Sequence, residues 1–297
     1  MPETDRSPFR AFSGSFFITP CLKISTVFSE STCGWQRWPL ERAFSGARRL
    51  GYDYIELWGG RPHAFAPDLK RGGLREVLAL EEKYQMPVAV YTPEHNAYPY
   101  NYMLGDRQQW EDCMAYLELC LEMGKALGAE YTLISVGHGG YGASRQALWN
   151  RLLESLRRLA DAAERLGHKI VLESLTCYES NLCTSAGELA QALDEVGSSA
   201  LLGMCDVVPP AAAGEPVENY LDLLGDRLAH LHLVDSDGRS DSHLLPGDGA
   251  LLLPELLRDL SDRGYRGRAT IELVTAYLAE PALHARRALE RVRAMGV

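Results

Sequence analysis

Short, continuous apolar runs alternate with longer stretches in which apolar residues recur every three or four positions, and the alternation repeats eight times. The runs at 23–29, 54–58, 88–91, 131–136, 169–173, 201–206, 228–234 and 269–274 read as parallel strands covered on both faces. Between them, Leu148, Leu152, Leu156, Leu159, Ala163 and Leu166 form one helical stripe, and Trp110, Met114, Leu117 and Leu121 form another. Arg48-Arg49, Arg157-Arg158 and Arg286-Arg287 fall off such stripes and read as solvated faces. Gly51, Gly128, Gly167 and Gly264 each end a helical run just before a strand, as helix-closing glycines do. Eight strand–helix units in 297 residues, about 37 each, predict an α/β protein of the (β/α)8 TIM barrel type. A doubly wound sheet is the alternative, and it usually has fewer strands. No Ser/Pro-rich linker divides the chain, so the expectation is a single barrel over 23–297 preceded by an N-terminal extension at 1–22.

Composition narrows the function. The net charge is -10, with 30 Lys and Arg against 40 Asp and Glu, which speaks against nucleic acid as a partner. No run of about 18 apolar residues predicts a membrane span, and the first residues lack the apolar core of a signal peptide. Seven cysteines without a framework spacing favour free thiols in a reducing compartment. The expectation is a cytoplasmic enzyme acting on a small molecule, with no membrane partner, and with homo-oligomerisation open.

In a barrel of this kind the chemistry sits at the C-terminal ends of the strands. The fifth strand run ends in Glu173, the sixth in Asp206, the seventh carries His230 and His232, and the eighth carries Glu272. A lone histidine in an apolar strand is usually a packed core residue, and a lone strand-end glutamate is usually paired or solvated. Polar residues on four successive strands of one barrel change that balance. Three carboxylates cannot share a site unless a cation holds them. Glu173, Asp206, His232 and Glu272 are therefore candidate ligands of a divalent metal. The oxygen-rich set favours Mn²⁺ first, with Co²⁺, Mg²⁺ or Zn²⁺ as alternatives, over a closed structural zinc site. His232 is preferred to His230 as ligand because it lies nearer the strand end.

These four residues, in this order, resemble the xylose-isomerase-like barrel superfamily of sugar isomerases and epimerases. The segments at 55–70, 91–94, 98–101, 178–181, 230–238 and 272–274 are more specific, and they resemble the fructoselysine-type 3-epimerases within it. The resemblance implies a divalent-metal-dependent 3-epimerase of ketose derivatives, with fructoselysine and its C3 epimer as the leading pair. Glu173 and Glu272 would be the two catalytic bases, one removing a proton beside the ketone and the other returning it to the far face of an enediolate. Glu179, six residues after Glu173, matches a substrate-contacting glutamate of ketose 3-epimerases. His63, His138 and Trp35 are further candidates for substrate binding, whereas Trp58 is expected in the core.

The other readings on the same barrel are a ketose–aldose isomerase, an epimerase of free ketoses, a carbohydrate lyase, an endonuclease-type phosphodiesterase and a non-catalytic sugar- or metal-binding barrel. Asp241 and His243 mimic the Asp-x-His pair that supplies extra metal ligands in endonuclease-type members. The acidic loop with Asp235, Asp237, Asp241 and Asp248 weighs against a phosphate there and suits a cationic amino sugar. The Gly-rich stretch at 137–142 fits G-x-G-x-x-G, but it follows the fourth strand rather than opening a dinucleotide-binding unit. Cys205 precedes Asp206, and strand alternation points it toward the helices rather than the mouth.

Overall fold

The computed structural model describes residues 28–96 and 99–296. Eight parallel strands pair in chain order and close on themselves: β1 (Phe28–Ser31), β2 (Tyr54–Gly59), β3 (Val88–Pro93), β4 (Tyr131–Ser135), β5 (Lys169–Glu173), β6 (Leu201–Asp206), β7 (Leu228–His232) and β8 (Arg268–Ile271). The ring closes where Phe28, Ser29 and Glu30 of β1 pair with Ala269, Thr270 and Ile271 of β8. One principal helix follows each strand: α1 (Leu40–Leu50), α2 (Leu74–Tyr84), α3 (Arg107–Ala126), α4 (Arg145–Leu166), α5 (Ala186–Val196), α6 (Glu218–Leu224), α7 (Leu253–Asp262) and α8 (Pro281–Ala294). Short helical turns at Ala66–Asp68 and Val208–Ala213 sit in the connections after β2 and β6.

Local chemistry sets the helix ends. Ser144 and Ser185 accept from backbone N–H groups of the first turns of α4 and α5, and Asp106 with Gln109 forms a reciprocal cap on α3. Gly167 ends α4 at φ 60°, a left-handed conformation that suits glycine. The stripe Leu148, Leu152, Leu156, Leu159 and Ala163 is buried in the sleeve between helices and strands. Burial of that sleeve supplies the main stabilisation of the fold. A second, smaller apolar cluster of Val90, Tyr131, Leu133, Val171, Met204 and Ala229 fills the barrel itself.

Several strand boundaries differ from the sequence expectation, and those of β1, β7 and β8 bear on the site. The first strand lies at Phe28–Ser31 rather than 23–29, and residues 23–27 fall outside the described region, as does the extension at 1–22. Strand β7 stops at His232, and β8 stops at Ile271. Glu272 is therefore the first residue beyond its strand. Apolar residues at 233–234 and 273–274 extended the pattern past the point where the backbone leaves the ladder. Among the described residues, no helix is long and apolar enough to cross a membrane.

Candidate active site at the barrel mouth

Strand alternation separates the side chains by destination. On β6, Met204 faces the interior cluster while Cys205 packs in the outer sleeve. The same alternation brings Glu173 and Asp206 inward at the ends of β5 and β6, with His230 and His232 on β7. Glu173, Asp206, His232 and Glu272 border a cavity of about 360 Å³ at the C-terminal end of the barrel, whereas His230 lies below it. The cavity lies at the face where catalytic groups of this architecture gather.

His232 is at its floor and is 1% exposed. Its Nδ1 lies 2.9 Å from Glu272 Oε2, 3.5 Å from Glu173 Oε1 and 3.6 Å from Asp206 Oδ2. That nitrogen is buried and makes no well-directed hydrogen bond. Three carboxylates and an imidazole nitrogen thus converge from consecutive strands. Glu173, Asp206 and His232 offer ligand atoms within 4.8 Å of one another, as do Asp206, His243 and Glu272. An orphan lone-pair atom among carboxylate oxygens fits a divalent cation, whose charge would also offset their mutual repulsion.

The electrostatics of the cation-free groups are uneven. Burial pushes Glu173 up to about 8, although His232 opposes the rise and Ser135 Oγ donates to Glu173 Oε2 at 2.8 Å. For Glu272, burial acts upward but the charges and hydrogen bonds of His232 and His243 outweigh it, leaving the group near 2. Asp206 is held well below the carboxylate range against its burial by His243 and His232. Glu179 is pushed up to about 7, first by burial and then by the charge of Asp241.

Glu179 lines the cavity, together with Asp241 and His243 from the loop after β7. His243 Nε2 sits 2.8 Å from Asp206 Oδ2 and 3.5 Å from Glu272 Oε2, so this loop reaches the same carboxylates as His232. Cys33 Sγ lies 3.6 Å from Glu272 Oε1 on the opposite side. Its turn can approach because Gly34 carries no Cβ, which would stand 2.6 Å from the Leu273 carbonyl oxygen.

Three expected substrate contacts lie elsewhere. Trp35 is buried behind the wall and donates through Nε1 to Glu30 at 2.6 Å. His63 turns its Nε2 to the Trp38 carbonyl at 2.9 Å, edge-on to Trp58. His138 accepts from the Gly140 N–H at 2.8 Å inside its own loop. None of the three borders the cavity, because loop backbone, rather than strand parity, sets their direction. Trp58, expected in the core, instead lines the mouth and donates to Glu94 Oε2 at 2.7 Å.

The sequence reading passed over Glu56, which is in the interior of β2 and has 0% exposure. Its Oε1 receives Thr92 Oγ1 at 2.8 Å and faces His232 Nε2 at 3.1 Å. Its Oε2 receives Thr270 Oγ1 at 2.6 Å and faces His230 Nε2 at 2.8 Å. A carboxylate amid an apolar strand was a visible signal, but a search confined to strand ends does not meet it.

A family model described as "Xylose isomerase-like TIM barrel" matches residues 44–295. Fructoselysine 3-epimerase of Shigella flexneri is 52% identical over 264 residues, spanning 89% of this chain and 96% of that protein. Among solved structures, 3-keto-D-glucoside 4-epimerase from E. coli superposes with a TM-score of 0.76 at 18% identity, covering 91% of this chain and 99% of that one. D-psicose 3-epimerase from Clostridium cellulolyticum H10 superposes at 0.74 with 19% identity and the same coverage. At these identities the structural likenesses speak for the fold.

Proposed function

Because this chain belongs to the xylose isomerase-like TIM barrel family, we propose that its mouth carries out divalent-metal-dependent 3-epimerisation of a ketose derivative of the fructoselysine type. The coarser class, a carbohydrate epimerase acting on a ketose-type sugar, rests on relatives that match nearly the whole chain. The finer reading rests mainly on one observation. Glu173, Asp206 and Glu272 converge on the unpartnered Nδ1 of His232 at the floor of the cavity.

Glu173, Asp206, His232 and Glu272 would hold the cation, which supplies Lewis-acid polarisation of the ketone and the adjacent hydroxyl when bound. Glu173 and Glu272 are the two proton carriers. They stand at the ends of β5 and β8, with two strands between them, so they can address opposite faces of C3. One takes the C3 proton, giving an enediolate, and the other delivers a proton to the far face. Glu94, Glu179 and Asp241 add to the acidity of the cavity, and no Lys or Arg lines it among the described residues. That balance supports a neutral or cationic substrate over a phosphorylated one.

Incubation of fructoselysine with the Mn²⁺-supplemented protein in deuterated water tests the reading. Deuterium is expected at C3, together with the C3 epimer. Label confined to C1 or C2 would assign a carbonyl-shifting isomerase, and no exchange with any ketosamine or free ketose would overturn the proposal.

A further inference from the structure

The interior of β2 carries a residue that the epimerisation scheme does not use. Glu56 is fully buried and is met by four groups from three strands: Thr92 of β3, His230 and His232 of β7, and Thr270 of β8. Each carboxylate oxygen faces two of them. The cluster of Glu56, His230 and His232 also has the spacing of a cation site. However, Thr92 and Thr270 donate to the same two carboxylate oxygens that face the histidine nitrogens at 2.8 and 3.1 Å, so hydrogen-bond donors already fill this carboxylate.

We propose that Glu56 is a positioning residue that fixes the tautomer of His232. An ionised carboxylate can only accept, so the imidazole nitrogen facing it must carry the proton. His232 therefore donates through Nε2, and the neutral ring has its lone pair on Nδ1. That is the atom left without a partner and directed at the oxygens of Glu173, Asp206 and Glu272. Had Nδ1 carried the proton, the ring would have presented an N–H to the cation instead of a ligand. Outer partners of metal-binding histidines commonly set both orientation and basicity in this way. Thr92, Thr270 and His230 occupy the remaining acceptor positions of the carboxylate. His230 thereby gains a role without touching the mouth.

The inference rests only on the cation-holding part of the proposed function, so its tests read metal affinity and proton position and use no sugar. In Glu56→Gln the amide nitrogen presents N–H groups where the carboxylate accepted, and it must face one of the two histidines as a competing donor. Mn²⁺ affinity of the full-length protein, measured by competition with a fluorescent chelator, is expected to fall about 10–100-fold. Thr92→Val removes a donor but leaves the acceptor, and is expected to stay within about threefold of the parent. Affinity of Glu56→Gln within twofold of the parent would overturn the proposal, as would an equal loss in Thr92→Val, which would indicate packing. If Glu56→Gln does not fold, ¹⁵N spectra of histidine side chains in the Zn²⁺-loaded parent decide. A protonated Nε2 on His232 supports the assignment, and a protonated Nδ1 ends it. An absence of C3 exchange in the sugar assay leaves both readouts unchanged.

Discussion

Two buried glutamates stand on adjacent strands and have opposite fates. Glu30 on β1 pairs in register with Ile55, and the next pair is Ser31 with Glu56 on β2. Both are hidden from solvent, at 4% and 0% exposure. Glu56 faces into the barrel, where two histidines and two threonines outweigh its burial and hold it well below the usual carboxylate range. Glu30 faces out, into a small pocket bordered by Tyr52, Ile271, Leu273 and Pro281. It receives a single hydrogen bond from Trp35, its Oε2 has no partner, and burial pushes it up to about 8. Depth is the same on the two faces of this wall, so the supply of donors decides which carboxyl is charged. The inner face leads to the mouth and carries charge that can serve chemistry. The outer face holds a group whose consequences lie in stability.

The largest expected effect separates the mouth from the outer pocket. Glu173→Gln and Glu272→Gln should each lower kcat about 10²–10⁴-fold, the usual contribution of a positioned general acid or base. Glu30→Gln should leave kcat within about threefold of the parent in the same assay, since Glu30 does not line the cavity. A large loss in Glu30→Gln would break the division between the two faces.

Glu30 should appear in the pH dependence of unfolding. Its folded value is near 8 against 4.5 for an ordinary glutamate, so the folded state binds the proton more tightly. Its stabilising contribution is complete below about pH 4.5 and is lost as pH rises through about 8. The upper bound on that loss is about 5 kcal/mol. Denaturant unfolding of parent and Glu30→Gln at pH 5 and pH 9 should show the variant gaining relative stability at the higher pH. An identical pH slope in the two proteins would show that the pocket does not hold a proton.

The smallest effect concerns Glu179, which has an intermediate environment. It is half-buried, supported by Thr176, and pushed up to about 7 by burial and by Asp241. Below that pH it is neutral and above it ionised. For a cationic ketosamine, kcat/KM should therefore rise up to about tenfold through pH 7, and Glu179→Gln should flatten the rise. An unchanged profile would remove Glu179 from substrate recognition.

Much of this division could be read along the chain, because strand parity and strand ends are local properties. Eight apolar runs with helical stripes between them indicated the barrel, and the strand-end rule singled out Glu173, Asp206, His232 and Glu272, which the fold brings together. The same rule passed over Glu56, because a mid-strand carboxylate has no local feature that announces its partners. Those partners are 36, 174, 176 and 214 residues away in sequence. Trp35, His63 and His138 were placed at the mouth because their loops follow the correct ends of strands. The backbone of those loops turns the rings toward Glu30, the Trp38 carbonyl and the Gly140 amide instead.

The sequence by itself determined the element order, the parity of each strand and the charged character of the second half of the mouth. Only the tertiary structure decided which buried carboxyl is satisfied, and hence charged. The physical reason is closure of the ring: pairing β8 with β1 brings Thr270 and the β7 histidines within hydrogen-bonding reach of β2, while the outward pocket gives Glu30 one donor.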